Sequence, residues 1–248
     1  LEIGAEELPA SFVTHALDVM KTTAEKLLGD ARLAPSGEIR VLGTPRRLAL
    51  VIPGIPDAQP DRRETVMGPP ASAGLKPDGS FSPAAEGFAK KQGATTDAIR
   101  IVETPKGKYI AVEVAETGKS ASEVLPEILA TLCHRITFPK AMRWGEGEFA
   151  FGRPIHWIIA LHGDTVVPFS FAGVTSGRST RGHRFLSSST FEVGSSADYV
   201  DKLRAAHVLV DMDERRKTMH ERLVAAAKAA GGELIEDEFL MGECLSLV

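Results

Sequence analysis

Between Pro9 and Gly29 the apolar residues Val13, Ala16, Leu17, Met20, Ala24, Leu27 and Leu28 recur at helical spacing. A helix of that length with one apolar stripe gains most of its stability from burying the stripe against another element. The next segments in the chain are strands. Residues 38–42 and 47–52 are β-rich runs on either side of a GTPRR turn.

The remaining chain carries both kinds of element. Residues 53–80 are dense in Pro, Gly, Asp and Ser, including GPP and PDG, and read as a long loop region and the natural place for a domain boundary. Ser82 and Pro83 open a helix, with proline in its first turn, that Gly93 ends. Residues 99–103 and 108–115 are β-rich across a PKGK turn. Ser120 and Glu123 have capping-box spacing, and a helix follows to about residue 133. Residues 155–161 and 165–171 read as strands joined by His-Gly-Asp. A helix near 197–206, a short strand at 207–211 and a long helix from 211 to about 230 complete the pattern, with Asp211 and Glu214 again at capping-box spacing. No regular βαβ rhythm appears, so the expected fold class is α+β with mixed or antiparallel sheets. The expected organisation is an N-terminal region 1–134 and a region 135–248, which stand apart or share one core.

Charge separates these regions. The 248 residues carry a formal net charge of -4, so any contact with nucleic acid must come from a local patch. Residues 1–134 hold 15 basic and 18 acidic side chains, residues 135–184 hold 7 and 3, and residues 185–248 hold 7 and 12. The basic middle segment also contains both tryptophans and three of the seven histidines, and its arginines outnumber its lysines six to one. Within it SGRSTRGHRF, residues 176–185, reads as a cationic loop broken by Gly177 and Gly182. Arginine offers phosphate a planar fork of donors, glycine lets backbone N–H groups approach an anion, and tryptophan or histidine stacks on an unpaired base. The candidate contacts to nucleic acid or to a protein partner are therefore Lys140, Arg143, Trp144, Arg153, His156, Arg178, Arg181, His183 and Arg184. The competing reading pairs Arg143 and Arg153 with Glu146, Glu148 or Asp164 as a structural network.

Several chemistries find no support. The phosphate-binding GxxxxGK[ST] loop, GxGxxG, HExxH and GxSxG patterns are missing. His156 and His162 would share a face of one strand, yet no third metal ligand lies near them in sequence. Glu2, Glu6 and Glu7 could pair as acid and base, but placement of Glu6 and Glu7 near a helix N-terminus explains them more simply. A hydrolase or editing-type site around His156 and His183 lacks a nucleophile–base pair. The two cysteines, Cys133 and Cys244, form no framework, which suits a reducing cytoplasm, and no apolar run is long enough to span a membrane.

LEIGAEELPA at the start, GTPRRLAL at 43–50, GPPASAG at 68–74 and AAEGFAKKQG at 84–93 are followed by KGKY at 106–109 and FPKAMRWG at 138–145. RPIHWIIAL at 153–161, SGRSTRGHRF at 176–185 and DERRK at 213–217 complete the series. In this order they resemble the N-terminal region of the β subunit of bacterial-type glycyl-tRNA synthetase. The resemblance covers nearly the whole chain. It implies an α2β2 enzyme that joins glycine to tRNA(Gly) with ATP and Mg²⁺, the catalytic site lying in the α subunit and tRNA binding in β. It also implies an HD-type domain and an anticodon-binding domain later in β. This chain has no His-Asp dipeptide, starts and stops in apolar runs, and is expected to be an N-terminal fragment without catalytic residues, cofactor or metal of its own. Its expected roles are tRNA binding and subunit assembly. The alternative is an inter-subunit scaffold, with RNA held by the later domains.

Overall fold

A computed structural model describes residues 1–76, 78–144 and 149–246. The fold is α+β, as expected, and the chain packs as two units. Residues 1–57 and 120–248 form the larger, and residues 58–119 the smaller.

The larger unit starts with a strand, β1 (Glu2–Ala5), and the amphipathic helix α1 (Ala10–Asp30). Pro9 caps α1, its carbonyl accepting from the N–H groups of Phe12 and Val13. The helix runs one residue beyond Gly29, and the left-handed residue that ends it is Arg32 at φ +57°. The hairpin β2 (Arg40–Thr44) and β3 (Arg47–Val51) follows, on either side of the predicted turn.

The smaller unit is built from β4 (Arg62–Pro70), the short helix α2 (Ala71–Gly74), α3 (Pro83–Lys91), β5 (Ile99–Thr104) and β6 (Gly107–Glu116). Its sheet runs β4-β6-β5, and Ala85 and Ala89 of α3 pack with Ile99, Ile110 and Val112. Residues 53–80 are thus no continuous loop. β4 is an edge strand, exposed along most of its length, so it lacks the apolar alternation that marks a half-buried strand, and an edge tolerates the two prolines at its end.

The chain re-enters the larger unit with α4 (Ala121–Arg135). The Glu123 carboxylate accepts from the Ser120 N–H at 3.0 Å and from its hydroxyl at 2.6 Å, a cap of about 1 kcal/mol. Five short or medium strands come next: β7 (Met142–Arg143), β8 (Ala150–Phe151), β9 (Ile155–Ile159), β10 (Leu161–His162) and β11 (Thr165–Val166). β12 (Ser170–Phe171), β13 (Val174–Gly177), β14 (Ser179–Arg181) and β15 (Thr190–Glu192) complete the strands. The two long strands expected at 155–161 and 165–171 are interrupted. The Ala160 N–H turns to Gly177 O and its carbonyl accepts from Val167, so the ladder changes partner there. SGRSTRGHRF is likewise strand for half its length, with a turn after Arg181.

The main sheet runs β12-β13-β9-β1-β3-β2, antiparallel except between β13 and β9. Alternate residues divide between its faces. Ile3, Leu48, Leu50 and Ile158 join α1 and α4 in one core. Ala49, Trp157 and Ile159 join a second core on the other side, with the helix α5 (Tyr199–Ala205). Burial on both faces explains why these strands read as continuous apolar runs. The first core draws on residues from both sides of position 134.

The strand expected at 207–211 is an extended segment instead. Val208 and Val210 are buried in the second core, and Val210 O accepts from Gly43 N–H, but no ladder forms. The helix α6 (Met212–Ala229) begins at Asp211, whose side chain accepts from the N–H groups of Asp213 and Glu214. The reciprocal half of the expected capping box is replaced, because Glu214 pairs with Arg204 at 2.9 Å. Within DERRK, Arg215 is buried and donates to Leu209 O and to Leu245 O at the end of α7 (Glu238–Leu245), where a cation suits the helix dipole.

No helix among the described residues is long and apolar enough to cross a membrane. Cys133 is buried, and burial pushes its thiol up to about 12, whereas Cys244 is exposed. One thiol per native chain should therefore react with a thiol reagent at pH 8, and two after denaturation. Two fast-reacting thiols in the native protein would contradict this packing.

Candidate functional site

Four motifs that are distant in sequence meet where β1 leaves the main sheet. The exit loop is pinned by backbone bonds from Ala5 N–H to Arg46 O, Leu8 N–H to Pro45 O and Glu6 N–H to Pro154 O. These bonds bring LEIGAEEL, GTPRR and RPIHW together. SGRSTRGHRF reaches the same place through β13, which pairs with β9, and through the β14–β15 hairpin.

The buried half of the meeting point is organised by Glu2, which is fully buried on the central strand. Its carboxylate accepts from Trp157 Nε1, from the Tyr199 hydroxyl and from Thr180 Oγ1 at 2.6 Å. Arg47 Nε lies 3.7 Å from the same carboxylate, and its Nη2 donates to Arg181 O. Burial first, and then the Glu2 charge, push the Tyr199 phenol well above its ordinary range, so it remains a donor. The Trp157 ring is held between layers. A Cβ at Gly4 would stand 1.9 Å from its Cε2, so nothing larger than glycine fits beneath it. The guanidinium carbons of Arg181 and Arg47 lie 5.1 and 5.7 Å from its centroid.

The exposed half is a cluster of cations around two carboxylates. Glu6 accepts from His156 Nε2 at 2.9 Å, and Arg184 and Arg46 approach it to 3.4 and 4.0 Å. Arg184 also pairs with Glu7 at 3.0 Å. Glu6 and Glu7 precede the Pro9 cap and lie outside the first turn of α1. Their partners are therefore these cations and not the helix dipole. Burial pushes the Glu6 carboxyl up, but Arg46, His156 and Arg184 pull it down further, and it lies below the usual carboxylate range. The charged carboxylate is thus favoured above its unfolded value, and the ion pairs are lost as pH falls through the lowered one.

The remaining candidates fall into separate groups. Arg178 donates to Gly194 O at 3.2 Å and Asp164 O at 3.0 Å, bracing two turns from within. Arg153 donates to Gly152 O. Lys140 and Arg143 are exposed, and Trp144 packs against the first core, edge-on to Phe149. Among the described residues, no hydrogen bond or ion pair joins Lys140, Arg143 or Trp144 to the cluster. Glu146 and Glu148 lie outside the described residues. His162 bonds Ile55 O and shares no site with His156, because the strand breaks at Ala160 between them. No group of three or more His, Cys, Asp or Glu among the described residues is placed to hold a metal ion.

His183 is fixed in one tautomer. Its Nδ1 accepts from the N–H groups of Phe185 and Leu186, both at 3.2 Å, so the proton resides on Nε2. His183 opens a tight turn. Gly182 is required there because its Cβ would stand 2.4 Å from Ser187 O; close backbone approach, and not anion contact, explains this glycine.

A family model described as glycyl-tRNA synthetase beta subunit matches residues 1–248. The chain belongs to the glycyl-tRNA synthetase beta subunit family. Its relatives include proteins named glycine–tRNA ligase beta subunit from Trichlorobacter lovleyi, 46% identical, and Geobacter sulfurreducens, 44% identical, each over 248 residues. The protein of that name from Myxococcus xanthus is 43% identical over 248 residues. All of this chain is covered in each case, against 36%, 36% and 35% of the relatives. The chain thus spans about a third of their length.

In this beta-subunit chain, sequence reasoning named His156, Arg181, His183 and Arg184, but missed Arg46 and the buried support formed by Glu2, Arg47, Thr180 and Tyr199. One signal for the support was present. A glutamate between Leu1 and Ile3 in an otherwise apolar strand must be buried with partners or face solvent.

Proposed function

We propose that this chain helps attach glycine to its tRNA, as the part of the β subunit that positions RNA and joins the subunits. One observation carries the reading. Arg46 and Arg47 from one turn, Arg181 from β14 and Arg184 from the turn beyond it crowd a single corner of the fold. The Arg46 guanidinium is held below its ordinary range, first by burial and then by Arg184; Glu6 opposes the shift, and Arg47 and Arg181 add to it. Its Nε has no hydrogen-bond partner. A phosphate meeting the exposed guanidinium edges of this corner relieves that repulsion and supplies acceptors, in competition with Glu6 and Glu7. In this reading, ATP, Mg²⁺ and the chemical step belong to the α subunit of an α2β2 enzyme, and this chain contributes electrostatic positioning of tRNA(Gly).

Arg181→Ala in the assembled enzyme should weaken tRNA binding to a similar extent across tRNA sequences. It should also lower the slope of log affinity against log salt by about one. Unchanged affinity and slope, measured by filter binding over a salt series, would remove Arg181 from the interface. The inter-subunit scaffold reading draws support from Arg178, whose donors are used on carbonyls of its own fold, and from the pairing of Arg184 with Glu6 and Glu7.

A further inference from the structure

Phe185 and Leu186 stand out from the surface of this chain. They are 85% and 65% exposed, at adjacent positions, beside the arginine cluster. Large apolar side chains scattered singly on a surface need no explanation, but this pair is presented by a built turn. His183 Nδ1 receives the N–H groups of both residues, and Ser187 N–H closes back on His183 O at 2.9 Å. Gly182 packs against Ser187, and His183 N–H is anchored on Ala206 O. The turn is thus ordered independently of its apolar tips, which make no contribution to a core.

The surroundings specify the chemistry of what the tip meets. From Ser176 to Phe191 the chain contains three arginines and a histidine and no acidic residue. Arg184 immediately precedes Phe185, Arg181 lies four residues earlier at the end of β14, and Nε2 is left as the ring donor of His183. The His183 and Phe185 rings lie 6.1 Å apart. An exposed aromatic ring directly after an arginine, in a segment without a carboxylate, complements a base and its phosphate; the carboxylates that meet Arg184 are Glu6 and Glu7 of the β1 exit loop, which the phosphate displaces.

We propose that Phe185 is a stacking platform for an unpaired nucleotide of the bound tRNA, with Arg181 and Arg184 on the flanking phosphates and His183 Nε2–H as a donor. The proposal rests on the RNA-positioning reading and adds to it the kind of nucleotide recognised and the residue that recognises it.

The test uses the full-length β subunit assembled with its α partner and cognate tRNA, titrated at two salt concentrations. Phe185→Ala should weaken binding on the order of ten-fold at either salt, with the salt slope unchanged, because no phosphate contact is lost. Phe185→Trp should retain the affinity, and Phe185→Leu should behave like the alanine variant, since leucine is apolar but has no π face. Wild-type affinity in Phe185→Leu would overturn stacking. Wild-type affinity in Phe185→Ala, with Arg181→Ala still weakened, would overturn the platform and leave the electrostatic reading standing. Wild-type behaviour in both variants would remove both. Loss of α–β association in Phe185→Ala on sedimentation, with unchanged tRNA affinity of the complexes that remain, would assign the tip to a protein partner instead. Phe185 is exposed, so none of these substitutions should disturb folding, which amide exchange of β1 and β9 verifies.

Discussion

Replacing Glu2 by alanine removes on the order of 3–5 kcal/mol of stability, the range for breaking a buried charge pair from one side. The substitution leaves the donors Trp157 Nε1, the Tyr199 hydroxyl and Thr180 Oγ1 without their acceptor, and the Arg47 guanidinium without its counter-charge. Arg47 has little access to water, so its charge has nowhere to go. Replacing Glu2 and Arg47 together by apolar residues should cost less than Glu2→Ala, because the unpaired charge leaves with its partner. Urea unfolding followed by tryptophan fluorescence measures this, since both tryptophans lie in the larger unit. A loss below about 1 kcal/mol for Glu2→Ala would mean that these groups find other partners, and that the network is not the support described.

Gly4→Ala is the second substitution with a large expected effect. Its new methyl would stand 1.9 Å from Trp157 Cε2 and 2.1 Å from Cδ2, far inside contact distance and against a ring that cannot bend. Either β1 separates from β9, or the indole tips out and loses its bond to Glu2 together with its stacking under Arg181. Overpacking of this kind costs roughly 1–3 kcal/mol, and the lost indole bond adds about 1 kcal/mol. The expected readout is a lower urea midpoint with red-shifted Trp157 emission, recorded in a Trp144→Phe background. Combining Gly4→Ala with Trp157→Leu should recover part of the loss, since the clash requires both partners. An unchanged midpoint and unchanged emission would show that the ring does not lie on Gly4.

These two residues connect stability with the surface that we assign to RNA. Arg181 lies over Trp157, and its own carbonyl receives Arg47. The exposed arginine is therefore oriented from below by the buried Glu2 network. A variant that loosens the network is expected to weaken tRNA binding through the position of Arg181, although Glu2, Gly4 and Trp157 are themselves buried.

Local structure was legible where the signal itself is local. The Ser82 cap, with Pro83 at the first position, and the Ser120–Glu123 pair name helices that form within a residue or two of the expected ends, because a cap is a contact over three residues. The failures have an equally physical cause. β4 gains its order from pairing with β6 some forty residues later, and an exposed edge strand carries little of that in its composition. Residues 207–211 have strand composition and apolar burial, but the ladder they would join already ends at β2. The strand break at Ala160 depends on Gly177 and Val167, which compete for its backbone.

What the chain by itself determined was the class of fold, most helix boundaries, the family and the segment in which positive charge is concentrated. Each follows from composition, from contacts across a few residues, or from motifs read in order. The tertiary structure decided which arginines act together. Arg46, read only as part of the GTPRR turn, and Arg181 and Arg184, some 135 residues later, share a corner because β1, β3 and β9 are neighbours in one sheet. It also decided that Arg178 braces its own fold, and that Glu6 and Glu7 answer cations instead of a helix dipole. Strand order sets these partnerships, and strand order is a property of contacts between distant residues. No spacing along the chain encodes it.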